Sequence, residues 1–206
     1  MSEVVLLRIT EAMSNGDIAD WFEVTNFGSN EVNIIGYKMD DMIGGISPSV
    51  PVSLFGITSV APWESAVFLE GNSATVTTFK TNWGLGSQTQ VGYYAGSGIG
   101  LSSGGDGVTL FDAAGNELSG ATNSSYLSGK IRVSFGAANT GHSFRWAYTT
   151  EGEFSGSMET SIVGDIHGAV TSANKNVGSP GAIPEPSSLS LLALGGVVVA
   201  LRRRKK

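Results

Sequence analysis

Apolar and polar residues alternate with period two in short stretches along most of the chain. Phe22 and Val24 alternate with Trp21, Glu23 and Thr25, and Ile35, Tyr37 and Met39 with Gly36, Lys38 and Asp40. Further on, Ile131, Val133 and Phe135 alternate with Lys130, Arg132 and Ser134, and Phe144, Trp146 and Tyr148 with Arg145 and Ala147. Successive side chains of a strand point to opposite faces, so this spacing predicts strands with one face on a core and the other in water. Gly107-Val108-Thr109-Leu110-Phe111, the turn residues Asp112 to Asn116, and Glu117-Leu118 predict a hairpin. Gly28-Ser29-Asn30 and Gly71-Asn72-Ser73 read as further turns. No apolar repeat of period 3.6 is sustained in the body, so no helix is expected there. No internal repeat of fixed period is present either. Many short strands with regular punctuation indicate an all-β sandwich or barrel. The expectation is one mainly antiparallel β-sandwich over residues 3–182, with Phe22, Val24, Val108, Leu110, Val133 and Phe144 inside. Asn174 to Ala182, rich in small and polar residues, reads as a linker to the C-terminal segment.

The run Leu189 to Leu201 breaks this pattern. Leu189, Leu191, Leu192, Leu194, Val197, Val198, Val199 and Leu201 would make a short helix that is apolar all round. Each such residue favours insertion into a bilayer by roughly 0.3–0.6 kcal/mol near its centre. The segment is short: Ser187 to Leu201 would span about 22 Å, against a hydrocarbon core of about 30 Å. Snorkelling basic side chains or local thinning of the bilayer would cover part of the difference. Ile183-Pro184-Glu185-Pro186 precedes the run, and Arg202, Arg203, Arg204, Lys205 and Lys206 come after it. The prolines hold an extended, accessible stretch, and the basic cluster favours the cytoplasmic side, which places the body outside. A buried core helix with a solvated basic cap is the bland alternative. The order Pro-Glu-Pro, short apolar run, basic cluster resembles the PEP-CTERM sorting signal over residues 183–206. That resemblance implies export and processing by exosortase, a membrane-embedded protease.

Charge and composition narrow the rest. The basic cluster holds 5 of the 12 basic residues, leaving 7 basic against 18 acidic residues elsewhere. An acidic body repels phosphate, so no nucleic-acid partner is expected. The sequence has no cysteine, which removes disulfides, thiolate zinc sites and thiol catalysis together. Gly 29 is about twice the usual share, which suits turns and disfavours helices. Met1-Ser2-Glu3-Val4-Val5-Leu6-Leu7-Arg8 has no basic leader region and only a four-residue apolar run. An export signal is therefore expected upstream of the recorded start.

A second resemblance rests on the body. Ile9-Thr10-Glu11-Ala12, Asp20-Trp21-Phe22-Glu23-Val24-Thr25-Asn26, Val32 to Asp41, Gly105 to Asp112 and Gly178-Ser179-Pro180-Gly181 occur in that order. Together they resemble a bacterial lamin-tail domain over roughly residues 3–182, with Asp20-Trp21-x-Glu23 and Gly178-Ser179-Pro180-Gly181 as its firmest pieces. The resemblance implies an immunoglobulin-like β-sandwich that serves as an interaction or surface-attachment module. On a strand, Trp21 and Glu23 share one face and Phe22 and Val24 the other. Asp20 and Glu23 are expected to accept local hydrogen bonds while Trp21 covers the sheet.

Candidate chemistry is sparse. Gly100-Leu101-Ser102-Ser103-Gly104 has the form of a serine-hydrolase elbow, which needs a strand-to-helix turn, and no helix is expected after it. His142 and His167, the latter two residues after Asp165, read as turn or surface residues rather than catalytic bases. Glu151 with Glu153 and Asp40 with Asp41 are acidic pairs that usually sit solvated in loops. Asp106 and Asp112 lack the spacing of a calcium loop and are expected to form turns. No metal or cofactor is expected. The chain is expected to be a non-enzymatic exported surface or extracellular-matrix protein. Its expected partners are the membrane, an exosortase-type protease, and exopolysaccharide or other surface proteins. The alternative is a carbohydrate- or ligand-binding module using Trp63, Trp83, Tyr93 and Tyr94, whose bland role is core packing; a hydrolase ranks last.

Overall fold

A computed structural model describes residues 7–41, 50–95, 99–118, 131–148, 154–165 and 167–182. The membrane-segment, Pro-Glu-Pro and basic-cluster residues, and Glu151 and Glu153, lie outside the described residues. The body is mostly β, as its alternation predicts. Ten strands close into a ring: β1 (Leu7–Met13), β11 (Phe144–Tyr148), β12 (Phe154–Thr160), β10 (Arg132–Phe135), β9 (Asp106–Phe111), β4 (Lys38–Asp40), β5 (Val52–Phe55), β8 (Gln90–Tyr94), β7 (Ser65–Glu70) and β2 (Trp21–Asn26), which returns to β1. Two small two-stranded sheets flank the ring, β3 (Val32–Asn33) with β6 (Ser59–Val60) and β13 (Val170–Thr171) with β14 (Val177–Gly178). Closure gives each of the ten ring strands a neighbour on both sides, which protects their edges.

The ring's interior is the main core. Phe22, Val24, Val108, Leu110, Val133 and Phe144 are all buried there, as expected. Phe22 stacks on Phe68 at 5.5 Å between ring centroids and tilts against Tyr94 at 5.8 Å. Phe135 stacks on Phe144 at 5.1 Å.

Two expectations need correction. First, the body contains a helix, α1 (Ser73–Trp83). Its four threonines and one valine have poor intrinsic helix propensity, which hides it from a propensity reading. The caps supply the missing signal. The Asn72 side chain accepts from the Ala74 and Thr75 N–H groups, Thr75 Oγ1 accepts from Asn72 N–H, and Gly84 ends the helix in the left-handed region at φ 65°. The residues read as a turn at Gly71-Asn72-Ser73 are this helix start. The sheet is mainly antiparallel, as expected, with two parallel pairs. β7 and β8 pair in parallel, as do β10 and β12. Adjacent parallel strands need a crossover, and α1 is the crossover from β7 to β8. It lands on the outside of β2 and β7, where Trp21, Val67, Leu69, Met13, Phe79 and Trp83 form a second core.

Second, residues 174–182 are not a linker. Asn176, Val177 and Ser179 are buried. The Val177 N–H donates to Gly141 O at 2.7 Å, and Ser143 N–H donates to Val177 O at 2.9 Å, so this strap joins the wall at the start of β11. Its other side is fastened to the helix end, because Asn82 Oδ1 accepts from Asn174 N–H at 3.0 Å.

Trp21 therefore does more than cover a wet face. It is fully buried, with edge contacts to Phe79 at 5.9 Å and Trp83 at 6.1 Å. Trp21→Ala should lower unfolding free energy by about 3–5 kcal/mol, the usual cost of a large aromatic truncation in a core. Urea denaturation tracked by circular dichroism measures this. A loss below about 1 kcal/mol would mean that α1 does not depend on the Trp21 ring.

Candidate functional site

Polar groups concentrate on the same outer face, two residues along from Trp21. On β2 the alternation sends Trp21, Glu23 and Thr25 outward. On β1 the register shifts between Ile9 and Glu11: Ile9 pairs with Val24, yet Glu11 pairs with Glu23. This bulge inserts Thr10, so that Ile9 and Ala12 face the interior while Thr10 bonds to the outward Glu23. Two carboxyl groups are thereby set directly opposite each other on neighbouring strands, both almost fully buried (Glu11 at 2% and Glu23 at 1% exposure).

Their partners are neutral donors. Glu11 Oε1 accepts from Ser143 Oγ and, at 2.8 Å, from Ser179 N–H; Oε2 accepts from Ser179 Oγ at 2.7 Å. Glu23 Oε1 accepts from Thr10 Oγ1 at 2.6 Å, and Oε2 accepts from Gly181 N–H at 2.6 Å. A file of hydroxyls continues outward from Thr10 to Thr25 at 2.9 Å and from Thr25 to Ser65 at 2.7 Å. Ser65 Oγ donates to Ala182 O at 3.2 Å. Gly178-Ser179-Pro180-Gly181 is thus clamped on the two glutamates.

Both glycines of that strap have a physical reason. A Cβ on Gly178 would stand 2.8 Å from Glu11 Oε1 and 3.0 Å from Ser143 Oγ. Gly181 has φ 78°, and a Cβ there would run into Thr89 Cγ2.

Burial, and then the negative charge of Glu11, push the Glu23 carboxyl up to about 8. Burial also raises Glu11, with Asp165 adding to the effect, against the pull of the Ser143 and Ser179 donors. Two carboxylates this close in a dry place cannot both ionise near neutrality, so the pair retains a proton there.

The remaining sequence candidates take structural places. Asp20 lies just before β2, and its carboxylate accepts from the Gly16 and Leu101 N–H groups. Burial and the charge of Glu70 push it up to about 6. Gly100 N–H donates to Asp41 Oδ2 at 3.3 Å and Ser102 N–H to Asp106 Oδ2 at 2.6 Å. Three successive amides of the Gly-x-Ser-x-Gly segment are therefore each held by a different carboxylate, and the segment runs into β9 rather than into a helix. Asp40 is buried rather than solvated. Asp112 does hold its turn, with Oδ1 accepting from Asn116 N–H at 2.8 Å. Among the described residues no group of three potential ligands is placed to hold a metal ion.

His167 is buried, not on the surface, and its Nδ1 accepts from Trp146 Nε1 at 3.2 Å; burial and the Arg145 charge lower it to about 4. His142 Nδ1 lies 2.9 Å from Ser161 O. Asp165 bonds the guanidinium of Arg145 at 2.7 Å and accepts from the Ile162 and His167 N–H groups. Burial pushes Asp165 up, but those amides and Arg145 outweigh it and leave its carboxyl below the ordinary range. The proposed aromatic platform is divided. Trp83 and Tyr94 are core residues, Tyr93 is half-buried under Phe55 at 5.4 Å, and Trp63 is 43% exposed at φ 59° in a turn beside Phe27.

Sequence reasoning singled out Glu23 but missed its partner, Glu11. The available signal was an acid between Thr10 and Ala12 in a strand, together with Gly-Ser-Pro-Gly far downstream.

Comparison with known proteins gives two family matches. The family model for the Lamin Tail Domain matches residues 2–125, from before β1 to beyond β9. The PEP-CTERM protein-sorting motif matches residues 182–205, beginning where the strap ends. The chain matches no curated protein and no solved structure.

The pair gives stability a definite pH dependence. A carboxyl raised on folding stabilises the protein fully below its unfolded value and loses that contribution as pH rises through its folded value. For Glu23 the window runs from 4.5 to about 8. Lowered His167 acts with opposite sign, but only below 6.5. Melting temperature should therefore rise by several degrees as pH falls from 8.5 to 6.5, and Glu23→Gln should flatten that slope. Calorimetry at several pH values checks it; an equal slope in the variant would mean that the pair does not titrate in this window.

Proposed function

The chain belongs to the Lamin Tail Domain family, and from that premise we propose that it is a non-enzymatic interaction module of the bacterial cell surface, delivered and anchored through its PEP-CTERM tail. The sorting motif itself is the mark of an exported, exosortase-processed surface protein. The observation that carries the reading is the meeting point of the two parts. The body packs its own chain as far as Ala182, and the sorting motif begins at that residue.

The tail's composition sets its role. Pro184, Glu185 and Pro186 keep the backbone extended for a protease. The apolar run Leu189 to Leu201 seats the tail at a fixed depth, and Arg202 to Lys206 resist translocation because charge is costly in hydrocarbon. No helix among the described residues is long and apolar enough to cross a membrane, so the anchor reading rests on the tail's sequence alone. The non-enzymatic reading is supported by the positions of the catalytic candidates. The Ser102 segment is held by three carboxylates, and His167 is packed against Trp146.

A glycan-binding role is the second reading. It is favoured by Trp63, a bulky residue held at positive φ and half-exposed after Pro62. Backbone strain of this kind often marks a recognition residue.

Intact mass and membrane fractionation in a host with an exosortase test the main reading. The mature protein should lack the segment after the Pro-Glu-Pro. Replacing Pro184, Glu185 and Pro186 by alanine should leave the full-length chain in the inner membrane. An unprocessed cytosolic wild-type chain would refute it.

A further inference from the structure

The strap at residues 178–182 is the part of the body next to the sorting motif, and it is held by a buried pair of acids in facing positions on β1 and β2. We infer that Glu11 and Glu23 are positioning residues that lock the chain's exit: they seat Ser179 and Gly181 so that the sorting segment leaves the barrel from one fixed place, and ionisation of both frees the strap while the barrel stays closed. What the lock controls rests on the reading of the tail as a processed sorting segment.

The geometry makes the strap the element that yields. β1 and β2 are laddered on both sides, β1 to β11 and β2, and β2 to β1 and β7. The strap beyond Val177 is held by the pairing of Gly178 with Val170, Ser179 N–H and Oγ on Glu11, Gly181 N–H on Glu23, and the Ser65 bond to Ala182 O. It also forms one wall of an open groove of about 350 Å³, lined by Trp83, Leu85, Thr89, Val170 and Pro180. The strap therefore lies between the pair and solvent, and lifting it is the short route to hydrating two charges.

β7 places Val67 opposite Glu23, α1 brings the Trp83 ring against Gly178, and the strap offers amides and hydroxyls. On that side α1 also carries Lys80, whose ammonium donates to Thr89 O at 2.9 Å. From the β11 side, Asp165 acts on Glu11 as a like charge, while Arg145, opposite Glu11 in register, is bonded to Asp165. Release of residues 178–182 would lengthen the tether between barrel and membrane by roughly 17 Å at 3.3–3.6 Å per residue. The lock thus sets how far from the body the protease must work.

Hydrogen exchange read by mass spectrometry on the full-length protein tests this. Between pH 6 and pH 9, after correction for intrinsic exchange, protection of the Ser179, Gly181 and Ala182 amides should fall about ten-fold while β2 and β7 keep theirs. Glu23→Gln, which cannot ionise yet still presents an oxygen, should keep the strap protected at pH 9. Ser179→Ala should open it already at pH 6. In cells with an exosortase, Ser179→Ala should be processed faster than wild type. The lock is overturned by equal strap protection at both pH values in wild type, by joint loss of strap and β2–β7 protection, or by an unchanged processing rate for Ser179→Ala with a demonstrably open strap. A wild-type chain that is never processed would count against the sorting reading, with the exchange data still deciding the lock.

Discussion

Two buried carboxyl groups facing each other across β1 and β2 are the constraint around which the outer half of this protein is arranged. A buried polar group must be hydrogen-bonded, and two adjacent acids demand more donors than a strand can offer. The bulge at Thr10 provides one hydroxyl, Ser143 just before β11 provides another, and the strap provides the Ser179 amide and hydroxyl and the Gly181 amide. The strap's path is dictated by these needs. Gly178 must lack a side chain to pass Glu11, and Gly181 must take a left-handed conformation to aim its N–H at Glu23. The Gly-Ser-Pro-Gly sequence is thus a donor array shaped to fit an acid pair.

The same face carries the second core, and the two depend on one another. The β7–α1–β8 crossover sets Phe79 and Trp83 on Trp21, and the Trp83 ring in turn closes against the strap at Gly178. Asn82 holds the strap's entry through Asn174 and Ala173. A helix of weak propensity is stable here because its apolar face is covered and its ends are capped; tertiary packing, rather than propensity, maintains most helices. The barrel interior, by contrast, needs nothing from the strap, since its strands close on themselves. This separation between a self-sufficient ring and an attached outer layer is what lets one segment be seated or released without unfolding the whole.

The strands, their inner faces and the tail were decided by the chain itself. Phe22, Val24, Val108, Leu110, Val133 and Phe144 alternate with polar neighbours, and period two leaves no other way to bury them. The order of Pro-Glu-Pro, apolar run and basic cluster is equally local, so it could be read without any fold. The Asp20-Trp21-Phe22-Glu23 motif was legible as a strand with two distinct faces. What covers its outer face was not, because that depends on residues roughly 60 to 170 positions away: Phe79 and Trp83 on Trp21, and Ser179 and Gly181 on the glutamates. Glu11 was hidden for a further reason. A one-residue bulge changes the face of every side chain beyond it, and nothing in Ile9-Thr10-Glu11-Ala12 marks where the shift falls. Small polar residues from 174 to 182 look like a linker as long as their donors have no visible destination. Only the closed fold brings two buried acids within reach and turns that stretch into a fitted strap.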